Sequence, residues 1–350
     1  MSVNQGFDFF IQWHLTERCN LRCTHCYQSD RKTKELTFPE IKKVIGDVSD
    51  MLKYWSDHYG ITFSPSMNVT GGEPFLRRDI FEILEEIVQQ GFDTYLLSNG
   101  TMVDGGKARV LSEMNVKGVQ VSLEGPEEVH EMIRGKGSFS SSLKGVEHLL
   151  NAKIPVTLNV TLSALNADYF MDMVMLASSC GVQRLGFSRL VPSGRGIGLL
   201  DSMLKKERVK ELYEAIFSMN KDGLDIVTGD PVASQMRTLC DEDAIDSIPN
   251  GGCAAGVSGL TFLPDGTIMP CRRLNLLIGN VLKDSLREVW ATSKVLNLLR
   301  NKAKYKGKCG VCKRWAHCRG CRAIAYAYAQ SQGKDDFLAE DPQCFIESAE

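Results

Sequence analysis

Phe7-Asp-Phe-Phe-Ile-Gln-Trp-His-Leu15, followed by Cys19-Asn-Leu-Arg-Cys23-Thr-His-Cys26, is the stretch on which the reading of this chain turns. The first run is apolar and aromatic, of strand length, and has no helical stripe. The second is a loop whose thiols are separated by three and then two residues. Such a loop can hold three irons of a 4Fe-4S cube, leaving the fourth for a distant ligand or for a small molecule that chelates it. A zinc knuckle would use a Cys-x2-Cys pair as well. Context favours the cube. Thr37-Phe-Pro-Glu40 reads as a helix start with a capping box around Pro39. A metal-binding loop between a first strand and a helix is where barrel enzymes keep their chemistry.

Outward from this stretch, short apolar strands alternate with amphipathic helices. The pattern predicts strands near 9–15, 66–70, 93–98, 117–123, 154–161 and 182–187. Helices fall at roughly 38–57, 77–90, 104–115, 139–151 and 166–179, with Gly60, Gly91 and Gly181 as C-terminal caps. The expected fold class is α/β, a partial (β/α)6 barrel built on a parallel sheet. A further helix near 204–221 leads to a Gly- and Asp-rich connection. After about residue 245 cysteine spacing replaces the β/α rhythm. The division expected is a barrel at 1–200, a bridging helix and linker at 201–245, and a cysteine-rich domain at 246–350.

At 350 residues with 43% hydrophobic content, the chain has the core of a globular protein. Its formal charge of -2, with acids and bases mixed, gives no reason to expect a nucleic-acid partner. No apolar run approaches the ~18 residues of a membrane span, and no signal-peptide pattern opens the sequence, so a cytoplasmic location without membrane attachment is expected. Twelve cysteines under such conditions are metal ligands before they are disulfides. Three lie at 19, 23 and 26, Cys180 and Cys240 stand alone, and seven crowd between 253 and 344.

The Cys19, Cys23, Cys26 loop closely resembles that of the radical S-adenosylmethionine (SAM) enzymes, in which SAM closes the cluster and is cleaved to a 5'-deoxyadenosyl radical. Gly71-Gly-Glu-Pro74, after the second strand, matches the family's GGEP motif. There Gly71 and Gly72 permit close backbone approach, and Glu73 or nearby carbonyls can accept hydrogen bonds from the SAM ammonium. Ser98-Asn99 forms a turn suited to touch SAM. The resemblance maps SAM carboxylate and ribose contacts onto Ser122 and Arg134, and a guanidinium fork suits a carboxylate. Asn159 and the Arg189–Gly196 loop complete the expected rim. His25 stands where relatives carry an aromatic beside the adenine, whereas Trp13 and His14 read as barrel packing.

The C-terminal cysteines resemble the SPASM pattern: Cys253, Gly266, Cys271, then Cys309-x2-Cys312-x5-Cys318-x2-Cys321, and Cys344. Two residues, Arg319-Gly320, stand where the family usually has three. Gly279-Asn280 and Leu286–Trp290 match the helix-starting segment of such domains. The resemblance implies two auxiliary 4Fe-4S clusters, one held by Cys309, Cys312, Cys318 and Cys344, the other by Cys253, Cys271 and Cys321. Seven thiols cannot fill eight iron positions, so one site is open or taken by another ligand, with Cys240 a candidate. A zinc ribbon from 309, 312, 318 and 321 is the structural alternative.

The activity implied is hydrogen abstraction followed by oxidation or bond formation, fed by a reductant such as flavodoxin or ferredoxin. The best-fitting substrate is a ribosomally made peptide, with leader recognition by a separate protein or by the barrel mouth. Arg272 replaces the Asp that sulfatase-maturating relatives use as proton acceptor, which argues against formylglycine formation. The alternative is side-chain modification of a tetrapyrrole, whose propionates could pair with Arg189, Arg195, Arg272 and Arg273. A non-catalytic redox protein would need neither GGEP nor Ser122 and Arg134.

Overall fold

In the computed structural model, which describes residues 6–28, 33–219, 223–237 and 248–346, one sheet of ten strands runs through the molecule. Strands β1 (Phe7–His14), β2 (Phe63–Thr70), β3 (Asp93–Ser98), β4 (Gly118–Ser122), β5 (Val156–Leu162), β6 (Arg184–Arg189) and β7 (Asp225–Thr228) lie side by side and parallel. On the other flank of β1 come β8 (Gly259–Phe262), parallel to it, then β9 (Thr267–Met269), antiparallel to β8, and β10 (Gly279–Asn280), antiparallel to β9. The order β10-β9-β8-β1-β2-β3-β4-β5-β6-β7 leaves β10 and β7 unpaired with each other, so the barrel is open. The sheet crosses both expected domain boundaries: the bridging segment supplies β7, and the cysteine-rich segment supplies β8 to β10.

The alternation within β5 shows how the sequence sets the two faces. Val156, Leu158, Val160 and Leu162 are buried in the core, while Asn159 and Thr161, of opposite parity, line the barrel interior. In register beside them stand Ser122 on β4 and Ser188 on β6. A barrel interior this polar is built to hold ligands instead of packing shut.

The crossovers are helices on the outer face: α1 (Phe38–Tyr59), α2 (Ile80–Gln89), α3 (Gly105–Glu113), α4 (Glu127–Arg134), α5 (Ser138–Asn151), α6 (Phe170–Cys180) and α7 (Lys206–Ser218). α1 begins with the reciprocal Thr37–Glu40 capping box and ends at Gly60 in the left-handed region (φ 66°). Gly181 caps α6 in the same way; Gly91, at φ 82°, lies one residue beyond the cap of α2, which is Gln90. α2 starts later than the expected residue 77 because the chain first makes a 3-10 turn at Pro74–Leu76 that ends on an extended Arg77, whose guanidinium donates to the carbonyls of Leu15 (3.0 Å) and Leu36 (2.6 Å). α4 was not expected at all, and it carries Arg134. In the C-terminal segment α8 (Leu286–Thr292), α9 (Lys294–Leu299), α10 (Lys308–Val311) and α11 (Arg322–Ser331) are short, and the connection between α10 and α11 carries Cys312, Cys318 and Cys321. Among the described residues no helix is long and apolar enough to cross a membrane.

Candidate active site

Beyond β1 the chain is clamped before the cysteine loop begins. Gly72 N–H donates to the Thr16 carbonyl at 2.7 Å and Glu73 N–H to the Arg18 carbonyl at 2.8 Å. A Cβ on Gly72 would run into that Arg18 carbonyl, so the glycine serves the close approach of two loops. The Arg189–Gly196 loop closes from the opposite side, where Gly196 N–H reaches the Cys26 carbonyl (3.0 Å). From α4, the Ile133 carbonyl accepts from Thr24 N–H (2.9 Å).

Cys19, Cys23 and Cys26 line a cavity of about 920 Å³ at the end of the barrel strands. His25, Gly71, Gly72, Ser98, Asn99, Ser122, Arg134 and Asn159 line it too. Thus the residues singled out individually as SAM contacts converge, with one exception. Glu73 does not line the cavity. Fully buried, its carboxylate turns away and accepts from Ser98 Oγ (2.9 Å), Asn99 N–H (2.9 Å) and Phe75 N–H (3.4 Å). Burial outweighs these bonds and pushes its carboxyl up to about 7. Glu73 is a brace between the loops after β2 and β3, so the atoms of this motif that face the cavity belong to the glycines.

Sequence reasoning missed Glu124, although it stands two residues after Ser122. It is fully buried and accepts from Arg134 Nε (2.9 Å) and Nη2 (2.5 Å), from Thr161 N–H (2.8 Å), and meets His25 Nε2 at 3.1 Å. Burial opposes its ionisation, but the Arg134 guanidinium and His25 hold the carboxyl well below the usual range. Arg134 in turn reaches the Cys23 sulfur at 3.7 Å, and Asn99 Nδ2 the Cys19 sulfur at 3.9 Å. A charged carboxylate ending an apolar strand was the available signal. Burial pushes the Cys19 thiol up to about 11 and raises Cys23. Iron binding would therefore have to displace protons, as thiolate ligation does. Three converging thiols, donors directed at two of the sulfurs and a polar chamber beside them fit a cluster and a polar co-ligand.

A second cavity, about 1100 Å³, adjoins the first; the two share Tyr27, Gln28, Arg272 and Arg273. Its walls include Ile197, Leu200, Leu263 and Met269, together with His14, which the sequence had assigned to packing. Burial, and then Arg272, lower the His14 imidazole to about 3, so it is neutral. Arg195, Arg272 and Arg273 line the thiol cavity, but Arg189 does not. Arg189 is buried, with its guanidinium bonded to Asp230 (2.6 and 2.9 Å), Asp341 (2.9 and 3.1 Å) and Gln343 (2.8 Å). Two carboxylates saturate it and withdraw it from substrate.

In the C-terminal segment Cys309, Cys312, Cys318 and Cys344 line one cavity of about 410 Å³, walled by Trp315 and Ile346. Cys321 does not line it, so the four residues of a zinc ribbon are not the four that share a chamber. Arg273 lies within electrostatic reach of Cys271 and Cys321, and Cys253 of Cys321. Burial pushes Cys321 up to about 12. The described cysteines are free thiols, and Cys240 lies outside the described residues. Among the described residues no three His, Cys, Asp or Glu side chains close on a point that would hold a single metal ion.

An open parallel barrel with a three-thiol loop beyond its first strand, followed by seven more cysteines, defines an iron–sulfur enzyme of the barrel type. Residues 13–177 match the radical SAM superfamily, and residues 253–321 match the SPASM iron-sulfur cluster-binding domain. The AdoMet-dependent heme synthase of Methanosarcina barkeri (strain Fusaro / DSM 804) is 31% identical over 348 residues, which cover 95% of each protein. The mycofactocin maturase MftC of Mycolicibacterium smegmatis is 28% identical over 326 residues, covering 90% of this chain and 78% of MftC. Among solved structures, Streptococcus suis SuiB shares the fold, with a TM-score of 0.73 at 15% identity over 97% of this chain and 78% of SuiB. The chain belongs to the radical SAM superfamily and carries a C-terminal SPASM domain. It is a radical SAM enzyme, with 4Fe-4S clusters and SAM as its cofactors.

Proposed function

We propose that this enzyme modifies a carboxylate-bearing tetrapyrrole. The observation that carries this reading is the arginine pair shared by the two cavities. Among the described residues neither Arg272 nor Arg273 meets a carboxylate: Arg272 lies over the Tyr27 ring at 5.6 Å, and Arg273 Nη1 donates to the Arg189 carbonyl at 3.3 Å while its Nε has no partner. Two guanidinium forks that bond no carboxylate among the described residues, with Arg195 nearby, suit propionate groups. The adjoining cavity with Ile197, Leu200 and Met269 suits an apolar macrocycle. The similarity to a heme synthase over nearly the whole chain supports the same class.

In this reading Cys19, Cys23 and Cys26 hold the SAM-binding cluster, and the seven C-terminal thiols hold two auxiliary clusters. Ser122, Asn159 and the Gly71–Gly72 backbone offer polar contacts to SAM, while Asn99 and Arg134 steady the thiolates. The bound cluster supplies the electron that cleaves SAM to a radical able to take hydrogen from unactivated carbon. Arg272 and Arg273 fix the substrate so that one carbon faces that chamber. Flavodoxin or ferredoxin serves as reductant. The peptide reading rests on MftC, similar over 90% of the chain.

The test is anaerobic reconstitution, then a 5'-deoxyadenosine assay with SAM and dithionite, with iron-coproporphyrin III or candidate precursor peptides added. We expect the tetrapyrrole to stimulate SAM cleavage and to change in mass, and Arg272→Glu to abolish the stimulation while leaving iron content intact. Stimulation by a peptide alone would overturn the tetrapyrrole reading.

A further inference from the structure

We infer that Gln235 is a positioning residue that sets the reduction potential of the auxiliary cluster held by Cys309, Cys312, Cys318 and Cys344. This rests on the reading that those four thiols hold a cluster.

Gln235 does not belong to the cysteine-rich segment. It lies on the short 3-10 turn Pro231–Met236, which follows β7, and it is the residue through which the outer strand of the barrel enters the four-thiol cavity. Its Nε2 lies 3.4 Å from the Cys344 sulfur and 3.7 Å from the Cys318 sulfur. The two ends of a side-chain amide are distinguished by their partners. Here Phe345 N–H donates to Oε1 at 3.2 Å, so the oxygen is committed to a backbone donor and the NH2 faces the sulfurs.

Ser234, on the same turn, also faces Cys318, and three further donors come from the segment that bears the cysteines. Arg314 N–H reaches Cys312 Sγ (3.4 Å), Gly320 N–H reaches Cys318 Sγ (3.4 Å), and Arg322 Nη2 reaches Cys309 Sγ (3.8 Å). Gln235 adds a neutral donor from elsewhere in the fold, shared between two sulfurs. Hydrogen bonds to ligand sulfurs stabilise the more negative, reduced cluster and so raise its potential. Trp315 and Ile346 wall the same cavity, and a low-dielectric wall strengthens that effect.

The test is a redox titration of the reconstituted full-length protein, followed by electron paramagnetic resonance. Gln235→Glu keeps the acceptor for Phe345 N–H, removes the donor and adds a negative charge. Gln235→Leu removes donor and acceptor without adding charge. One couple should move to lower potential in both variants, further in Gln235→Glu, while the other two hold their wild-type values. Unchanged couples in Gln235→Glu, or equal shifts of every couple, would refute the role. If Gln235→Leu fails to retain the cluster by iron count, Gln235→Glu decides alone. A Cys318→Ala/Cys344→Ala protein identifies the couple, and survival of the shifted signal in it would refute the quartet instead of the Gln235 assignment.

Discussion

Replacing Glu124 by Gln preserves the side chain's shape and removes its charge, and the structure fixes what that leaves behind. Glu124 has no exposed side-chain surface, and the Arg134 side chain beside it is only 11% exposed. The variant strands a buried guanidinium and sets an amide NH2 among donors from Arg134, His25 and Thr161. Breaking a buried pair from one side costs about 3–5 kcal/mol. That is a large share of the ~5–15 kcal/mol by which folded proteins are stable. Urea unfolding of the cluster-free protein, followed by tryptophan fluorescence, should show it. With a slope of about 3 kcal/mol per molar urea, the midpoint falls by about 1 M or more. Glu124→Gln/Arg134→Met removes the stranded charge, so it should be more stable than the summed single losses by about 2 kcal/mol. The carboxyl is held below its ordinary value, so the wild-type advantage is full above the ordinary value of 4.5 and is lost progressively as pH falls from there toward the lower folded value. A midpoint change under about 0.3 M, or strict additivity in the double variant, would refute the reasoning.

Glu73 gives the opposite slope. Its folded carboxyl stands at about 7 against an ordinary 4.5, so its protonated form fits the fold, and stability declines as pH rises from 4.5 through 7, by about 3 kcal/mol. Urea midpoints of the cluster-free protein should fall between pH 5 and pH 8, and Glu73→Gln should flatten that fall; parallel curves would count against it. Gly72→Ala should lower the iron held by the Cys19–Cys26 loop while the auxiliary iron remains, as read by iron counts and electron paramagnetic resonance. Gly198→Ala, whose new Cβ meets nothing within 4 Å, is the control and should change neither.

The parts of the fold legible in the sequence are those whose signals are local. Thr37, Glu40 and Gly60 announce the ends of α1 within its own residues, and the parity of Val156 to Leu162 announces both faces of β5. α4 escaped because it spans only Glu127–Arg134, with His130 and Ile133 as its buried residues. β7 escaped because an exposed edge strand of four residues has no alternation to read. Among site residues, cysteine and glycine spacing found the loops, because those residues are irreplaceable in short motifs. Arg189 was placed on the rim since nothing near it reveals Asp230 and Asp341; only the folded chain brings carboxylates 41 and 152 residues away onto one guanidinium. Glu73 and Glu124 show the same limit: which way a carboxylate turns depends on donors from other loops.

The parallel pairing of β1 with β8 imposes a schedule on synthesis. Phe10 is made about 250 residues before its partner Gly259. At ~5–20 residues per second the barrel waits roughly 12–50 s for that strand. During this interval β2 can cover one side of β1 while the other presents bare N–H and C=O groups to any neighbouring chain. A protein truncated before residue 253 would keep that edge permanently. The auxiliary segment is therefore also the late-arriving cover of that edge.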